Sequence, residues 1–303
     1  MAIRGSTQIG KDRGYLPTDY RFLNHNHDFL PAGVVFFKLP HGNSILVFFT
    51  HEMQWSVRMN KIPLETIDDE SAIRFRDCFS VRYIQSAAVL CRLGYQIEKE
   101  YSESGKVSED TSIRHEAFIL NSILSSVAFL ESIINELYSD AVDKAYIFYD
   151  AKNEILLKTI GEKWHNEKNF DRQPLISKYQ KILLIAGAPG FGDDDPAFTN
   201  VRNLIEIRNF LMHCKREWQT VKKGKETGVS GITHGEKLEK ILKTRFAPNP
   251  FSHKNQPFFP DKCLGHGCAE WAIVNSLIVT DEFFRRLDFP VPYDGIRDEL
   301  KTR

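Results

Sequence analysis

Within the stretch "IRNFLMH" (207–213), an arginine, an asparagine and a histidine interrupt a run of Ile, Phe, Leu and Met. Arg208 offers a planar cation whose fork suits phosphate oxygens. His213 brings a side chain that exchanges protons close to neutrality. Asn209 adds a neutral donor and acceptor. A phosphate-binding cation and a proton-exchanging group thus stand five residues apart.

A helix must position them. At about 100° per residue, Leu204, Ile207, Leu211, Cys214 and Trp218 share one stripe, which is expected to face the core. Asn209 and His213 then lie nearly opposite, beside Arg202 and Glu206. Arg208 sits at the stripe's edge, where a long side chain can reach round. Ile205, Phe210 and Met212 flank the polar face, which suggests that it meets something, a second copy of the chain among the choices. Asp195-Pro196 predicts the helix start, an N-cap followed by proline in the first turn, and the helix is expected to run to about Trp218.

Two further stretches bear on the same chemistry. In "VAFLESIINELYSD" (127–140), Glu131 and Asn135 are four apart on one helix face. After the motif comes "KREWQTVKKGK". From Lys215 to Arg245 there are nine Lys/Arg against four Asp/Glu, in a chain whose totals are 40 and 40. Lys215, Arg216, Lys222, Lys223 and Lys225 are therefore expected to contact a phosphate backbone; a solvated basic loop is the plain alternative.

The rest of the chain supplies the frame. The runs 33–39, 44–50 and 54–59 are rich in Val, Ile and Phe and read as a small antiparallel sheet. Helices are expected over about 68–94, with Gly94 as the stop, and over 113–139, 145–165 and 174–187. A short helix over 234–244 carries a capping box at Thr233 and Glu236, and a last helix spans about 265–287. The fold class expected is mainly α, a helical bundle (67–303) behind a β-rich N-terminal extension (1–66), α+β overall.

Composition narrows the classes. Of 303 residues, 42% are hydrophobic and 26% charged, an ordinary globular balance. Five scattered cysteines suit a reducing cytoplasm. No uninterrupted apolar run reaches membrane-spanning length, and the polar N-terminus has no signal core, so a cytoplasmic protein without membrane contact is expected. "NHNHD" (24–28) and "CLGHGC" (263–268) carry potential metal ligands, but neither has a recognisable ligand set. The second reads better as a helix start whose glycines permit tight turning. His115, His234 and His253 are expected at the surface and Trp271 in the core.

Arg208-Asn209 with His213, preceded by "FLESIINELY" and followed by "GCAEWAIVNSLIVTDEFF", resembles the HEPN superfamily of helical-bundle domains over roughly 113–287. The short Arg-x4–6-His motif and its helical context carry the resemblance, and the N-terminal strands lie outside it. The resemblance implies a metal-independent endoribonuclease, without cofactor, of a toxin or phage-defence kind. Two protomers would pair their motifs into a composite site acting on RNA, under the control of an antitoxin or trigger partner. Arg208 and His213 would carry the chemistry, with Asn209 orienting His213 or binding phosphate and Glu131 fixing the imidazole or holding Arg208. A noncatalytic dimerisation or nucleotide-binding module on the same bundle is the alternative.

Overall fold

The structure, a computed structural model, describes residues 33–38, 44–49, 66–67, 70–71, 78–143, 151–166, 172–213 and 233–303. The chain divides into two compact units, Met1–Asp77 and Cys78–Arg303. In the first, β1 (Gly33–Lys38) pairs antiparallel with β2 (Ser44–Phe49), and β3 (Thr66–Ile67) with β4 (Glu70–Ser71). The strand expected over 54–59 lies outside the described residues. These four short segments hold all the strand among the described residues, and the fold class the structure supports is mainly helical.

The second unit begins with a helical hairpin. Helix α1 (Ser80–Ser104) opens under a carboxylate from its neighbour: Glu136 accepts from the backbone N–H groups of Phe79 (2.7 Å) and Ser80 (2.9 Å) and from the Ser80 hydroxyl. The expected stop at Gly94 is not observed. Gly94 is buried inside α1, and a Cβ there would lie 2.6 Å from Ile119 Cδ1; the glycine permits close helix approach instead. The left-handed residue that ends α1 is Gly105, at φ 65°.

Helix α2 (Glu109–Val142) begins at Ser108, whose hydroxyl accepts from Thr111 N–H, and carries Glu109 and Asp110 where the helix dipole favours negative charge. It returns along α1, where the Ser122 hydroxyl donates to Ala87 O at 2.8 Å. Helices α3 (Ala151–Asn166), α4 (Leu175–Ile185), α5 (Pro196–Met212) and α7 (His266–Leu287) also pack on α2. This central position answers its composition. An 18-residue window of α2 has mean hydropathy 1.8 and is 50% buried. By length and composition α2 could cross a membrane, contrary to the expectation from uninterrupted runs, and here its apolar residues form the bundle core.

Helix α6 (His234–Leu242) has the expected capping box, with Thr233 and Glu236 each accepting from the other's backbone N–H. It packs on the π-helical segment Phe258–Lys262. Helix α7 starts at the expected glycines: a Cβ on Gly267 would stand 2.6 Å from Ala247 O. Its first N–H, from His266, donates to Glu98 Oε1 at 2.6 Å.

Candidate active site

Helix α5 starts where the sequence places it. Asp195 Oδ1 accepts from the N–H groups of Ala197 (3.0 Å) and Phe198 (3.2 Å), and Pro196 occupies the first turn. Phe198, Val201, Leu204 and Ile207 are buried, and α5 packs on α7 and α2. The Arg286 guanidinium fastens this start from α7: it donates to Pro189 O at 3.0 Å, covers the Phe191 ring at 4.2 Å and lies 3.8 Å from Asp195. Glu282 holds Arg286 at 2.8 Å and also binds Arg285. Hydrogen bonds from Arg285 push the Glu282 carboxyl down to about 2 against the opposing effect of burial, with Arg286 adding to the shift.

The C-terminal end departs from expectation. Helix α5 stops at Met212 and His213 is its C-cap, with φ −121° and ψ 31°. Leu211, on the expected core stripe, is only half-buried, and Met212 is 59% exposed. Cys214 and Trp218, expected on that stripe, lie outside the described residues, as do Lys215, Arg216, Lys222, Lys223 and Lys225.

His213 is exposed, and its backbone N–H donates to Asn209 O at 2.9 Å. Its imidazole has no hydrogen-bond or ion-pair partner among the described residues. Arg208, 27% exposed, reaches α2, where its Nη2 lies 3.6 Å from Glu131 Oε2; Glu131 itself is half exposed. The fold thus brings Arg208 to Glu131 across two helices, while no side-chain hydrogen bond or ion pair joins His213 to Asn209 or to Glu131. Of the two roles expected for Glu131, holding Arg208 is the one that fits this placement. At 3.6 Å the ion pair exceeds hydrogen-bond length, so guanidinium donors remain for a phosphate.

One turn along α2, Asn135 accepts from Lys178 Nζ of α4 at 2.8 Å. Lys178 is 4% exposed; its spacing from Leu175 and Ile182 places it on the buried stripe of α4. Phe210, expected beside a partner-facing surface, packs within the chain. Its ring stacks on His234 (centroids 5.1 Å, planes 18° apart) and meets the edge of Phe259 (4.8 Å, 87°).

Other histidines also move. His115, expected at the surface, is fully buried, with Nε2 2.8 Å from Glu98 Oε1 and its ring against Phe251. It sits on the inner face of α2, where the Glu98 carboxylate pairs one ring nitrogen and the buried Nδ1 has no hydrogen-bond partner among the described residues. His234 is half-buried by its stacking on Phe210, and His253 is exposed. Cys263 and Cys268 are buried with their Sγ atoms 4.0 Å apart. Cys91 is buried too, and that burial pushes its thiol up to about 12. Among the described residues no three His, Cys, Asp or Glu side chains gather as metal ligands, and Trp271 lies in the core.

The chain matches no protein-family model, no curated protein and no solved structure.

Proposed function

We propose that the chain is a metal-independent endoribonuclease of HEPN type, with a toxin or defence role, in which Arg208 binds the scissile phosphate and His213 moves a proton. The observation that carries this reading is the end of α5. It presents an exposed imidazole with no partner among the described residues, one turn beyond a half-buried guanidinium that its carboxylate neighbour holds only loosely.

The chemistry uses the substrate's own nucleophile. The RNA 2′-hydroxyl attacks phosphorus, a base removes its proton, and the P–O5′ bond breaks as an acid protonates the leaving oxygen. Arg208 offsets the charge gathering on the phosphoryl oxygens. Glu131 keeps Arg208 from swinging into solvent, and Asn209 contributes a donor towards phosphate. One imidazole serves one proton transfer per step, so a second copy of the chain is proposed to supply the other across a two-fold interface. The N-terminal β-rich extension is proposed to read the trigger or antitoxin, and the setting is cytoplasmic.

Incubating the purified full chain with single-stranded RNA tests the proposal. Cleavage should survive a chelator and leave 2′,3′-cyclic or 3′-phosphate ends opposite 5′-hydroxyls. Light scattering should give a dimer. Failure to cleave, with or without cognate trigger, removes the enzyme reading.

The second reading is a noncatalytic module on the same bundle. The Arg208–Glu131 pair also favours it, since a structural ion pair between α5 and α2 needs no substrate. Its mark would be RNA or nucleotide binding with no product.

A further inference from the structure

We infer that Phe210 is the positioning residue of this site: clamped between His234 and Phe259, it fixes the last turn of α5 and with it the exposed imidazole of His213. The inference rests on the nuclease reading for its effect on rate, and on the packing alone for its effect on the turn.

Among the described residues, the buried positions of α5 end before its last turn. Val201, Leu204 and Ile207 bury the helix up to its penultimate turn. Beyond them Asn209 and Leu211 are half-buried, and Met212 and His213 are exposed. His213 has left helical geometry, and its backbone N–H donates to Asn209 O at 2.9 Å. Phe210 lies in the last turn of α5, three residues before His213.

The clamp comes from distant parts of the chain. His234 is the first residue of α6, and its backbone is set by the capping box at Thr233 and Glu236. Phe259 is 1% exposed in the Phe258–Lys262 segment, against which α6 packs. One ring lies nearly parallel to Phe210 and the other nearly perpendicular. A parallel face stops Phe210 from tilting, and an edge contact at right angles stops it from sliding. Both geometries are favoured by the aromatic quadrupole. The turn carrying His213 is therefore referenced to α6 and the 258–262 segment as well as to its own helix. Displacing a reacting group by about 1 Å costs on the order of 100-fold in rate, so the clamp acts on kcat rather than on RNA binding.

The experiment uses the full-length chain and reads two quantities: steady-state cleavage of a single-stranded RNA, and amide hydrogen exchange at His213 by NMR. In Phe210→Ala, kcat should fall about 10–100-fold while KM stays within about twofold. Exchange at His213 should speed up about tenfold or more, with Val201 and Leu204 unchanged. His234→Phe keeps a flat ring and should retain both values, whereas His234→Ala should lose both. Phe210→Leu fills most of the same volume and replaces Phe210→Ala if that variant fails to fold. Unchanged exchange at His213 in the Phe210 variant overturns the clamp whether or not wild type cleaves RNA. Faster exchange in a protein that never cleaves RNA supports the clamp and removes the nuclease reading. Loss of kcat in His234→Phe equal to that in His234→Ala overturns the positioning role, because a retained ring would then not suffice.

Discussion

At the scale of single residues, His213 and Arg208 answer differently to removal because the fold treats them differently. His213 projects into solvent beyond the end of α5, so truncating it opens no cavity. His213→Ala should cost about 10²–10⁴ in cleavage rate and shift stability by less than about 0.5 kcal/mol, read by RNA cleavage and by chemical denaturation of the same preparation. Arg208→Ala should also suppress cleavage, with a larger loss of stability, because its stem is half-buried and its head meets Glu131. Equal cleavage by His213→Ala and wild type would end the acid–base assignment.

At the scale of elements, the bundle depends on two kinds of close fit. The first is steric. A Cβ on Gly161 of α3 would lie 2.5 Å from Ala141 O of α2. That neighbour is backbone and cannot rotate away, so Gly161→Ala should destabilise the unit by about 1–3 kcal/mol in urea unfolding, with α3 amides losing the most exchange protection. A neutral or stabilising effect would mean that α2 and α3 do not approach this closely. The second is electrostatic. The Arg285 guanidinium, with Arg286 beside it, holds the Glu282 carboxyl of α7 down to about 2, below the usual carboxylate range. A depressed folded-state pKa contributes stability above the unfolded pKa and loses it as pH falls through the folded one. The stability gap between wild type and Glu282→Gln should therefore be full above about pH 5 and shrink steadily towards pH 2. Thermal melts across that range check it; a gap independent of pH rules out a stabilising contribution from the pairing of Glu282 with Arg285 and Arg286. The side chains are partly exposed, so the gap should also narrow in high salt.

At the scale of the whole molecule, charge is the feature the neutral total conceals. Nine Lys/Arg against four Asp/Glu lie between Lys215 and Arg245, directly after the motif helix. Replacing Lys222, Lys223 and Lys225 by Glu should weaken RNA binding and flatten its dependence on salt, measured as affinity between about 50 and 200 mM salt; an unchanged slope excludes these lysines from the footprint. The same scale separates what one dimension of sequence carries from what it does not. The start of α5 at Asp195-Pro196, the capping box of α6, the glycine start of α7 and the buried stripe Leu204–Ile207 are local patterns, and each was legible. The pairing of Phe210 with His234 and Phe259, the burial of His115 under Glu98, and Gly94 as a contact rather than a stop depend on neighbours from other helices. Helix-period arithmetic treats one helix at a time and cannot supply those neighbours. Glu131 lay between the two cases: its face was readable, and its partner Arg208 was one of two expected.

The central placement of α2 also sets a schedule for synthesis. Its 18-residue apolar window is covered by α1, made earlier, and by α3, α4, α5 and α7, all made later. The end of α7 at Leu287 follows the end of α2 at Val142 by 145 residues. At about 5–20 residues per second, that separation leaves α2 incompletely shielded on the ribosome for about 7–30 s. During that interval the nascent chain carries a segment with the composition of a membrane span, so chaperones and membrane-targeting factors compete for it until the last helix arrives.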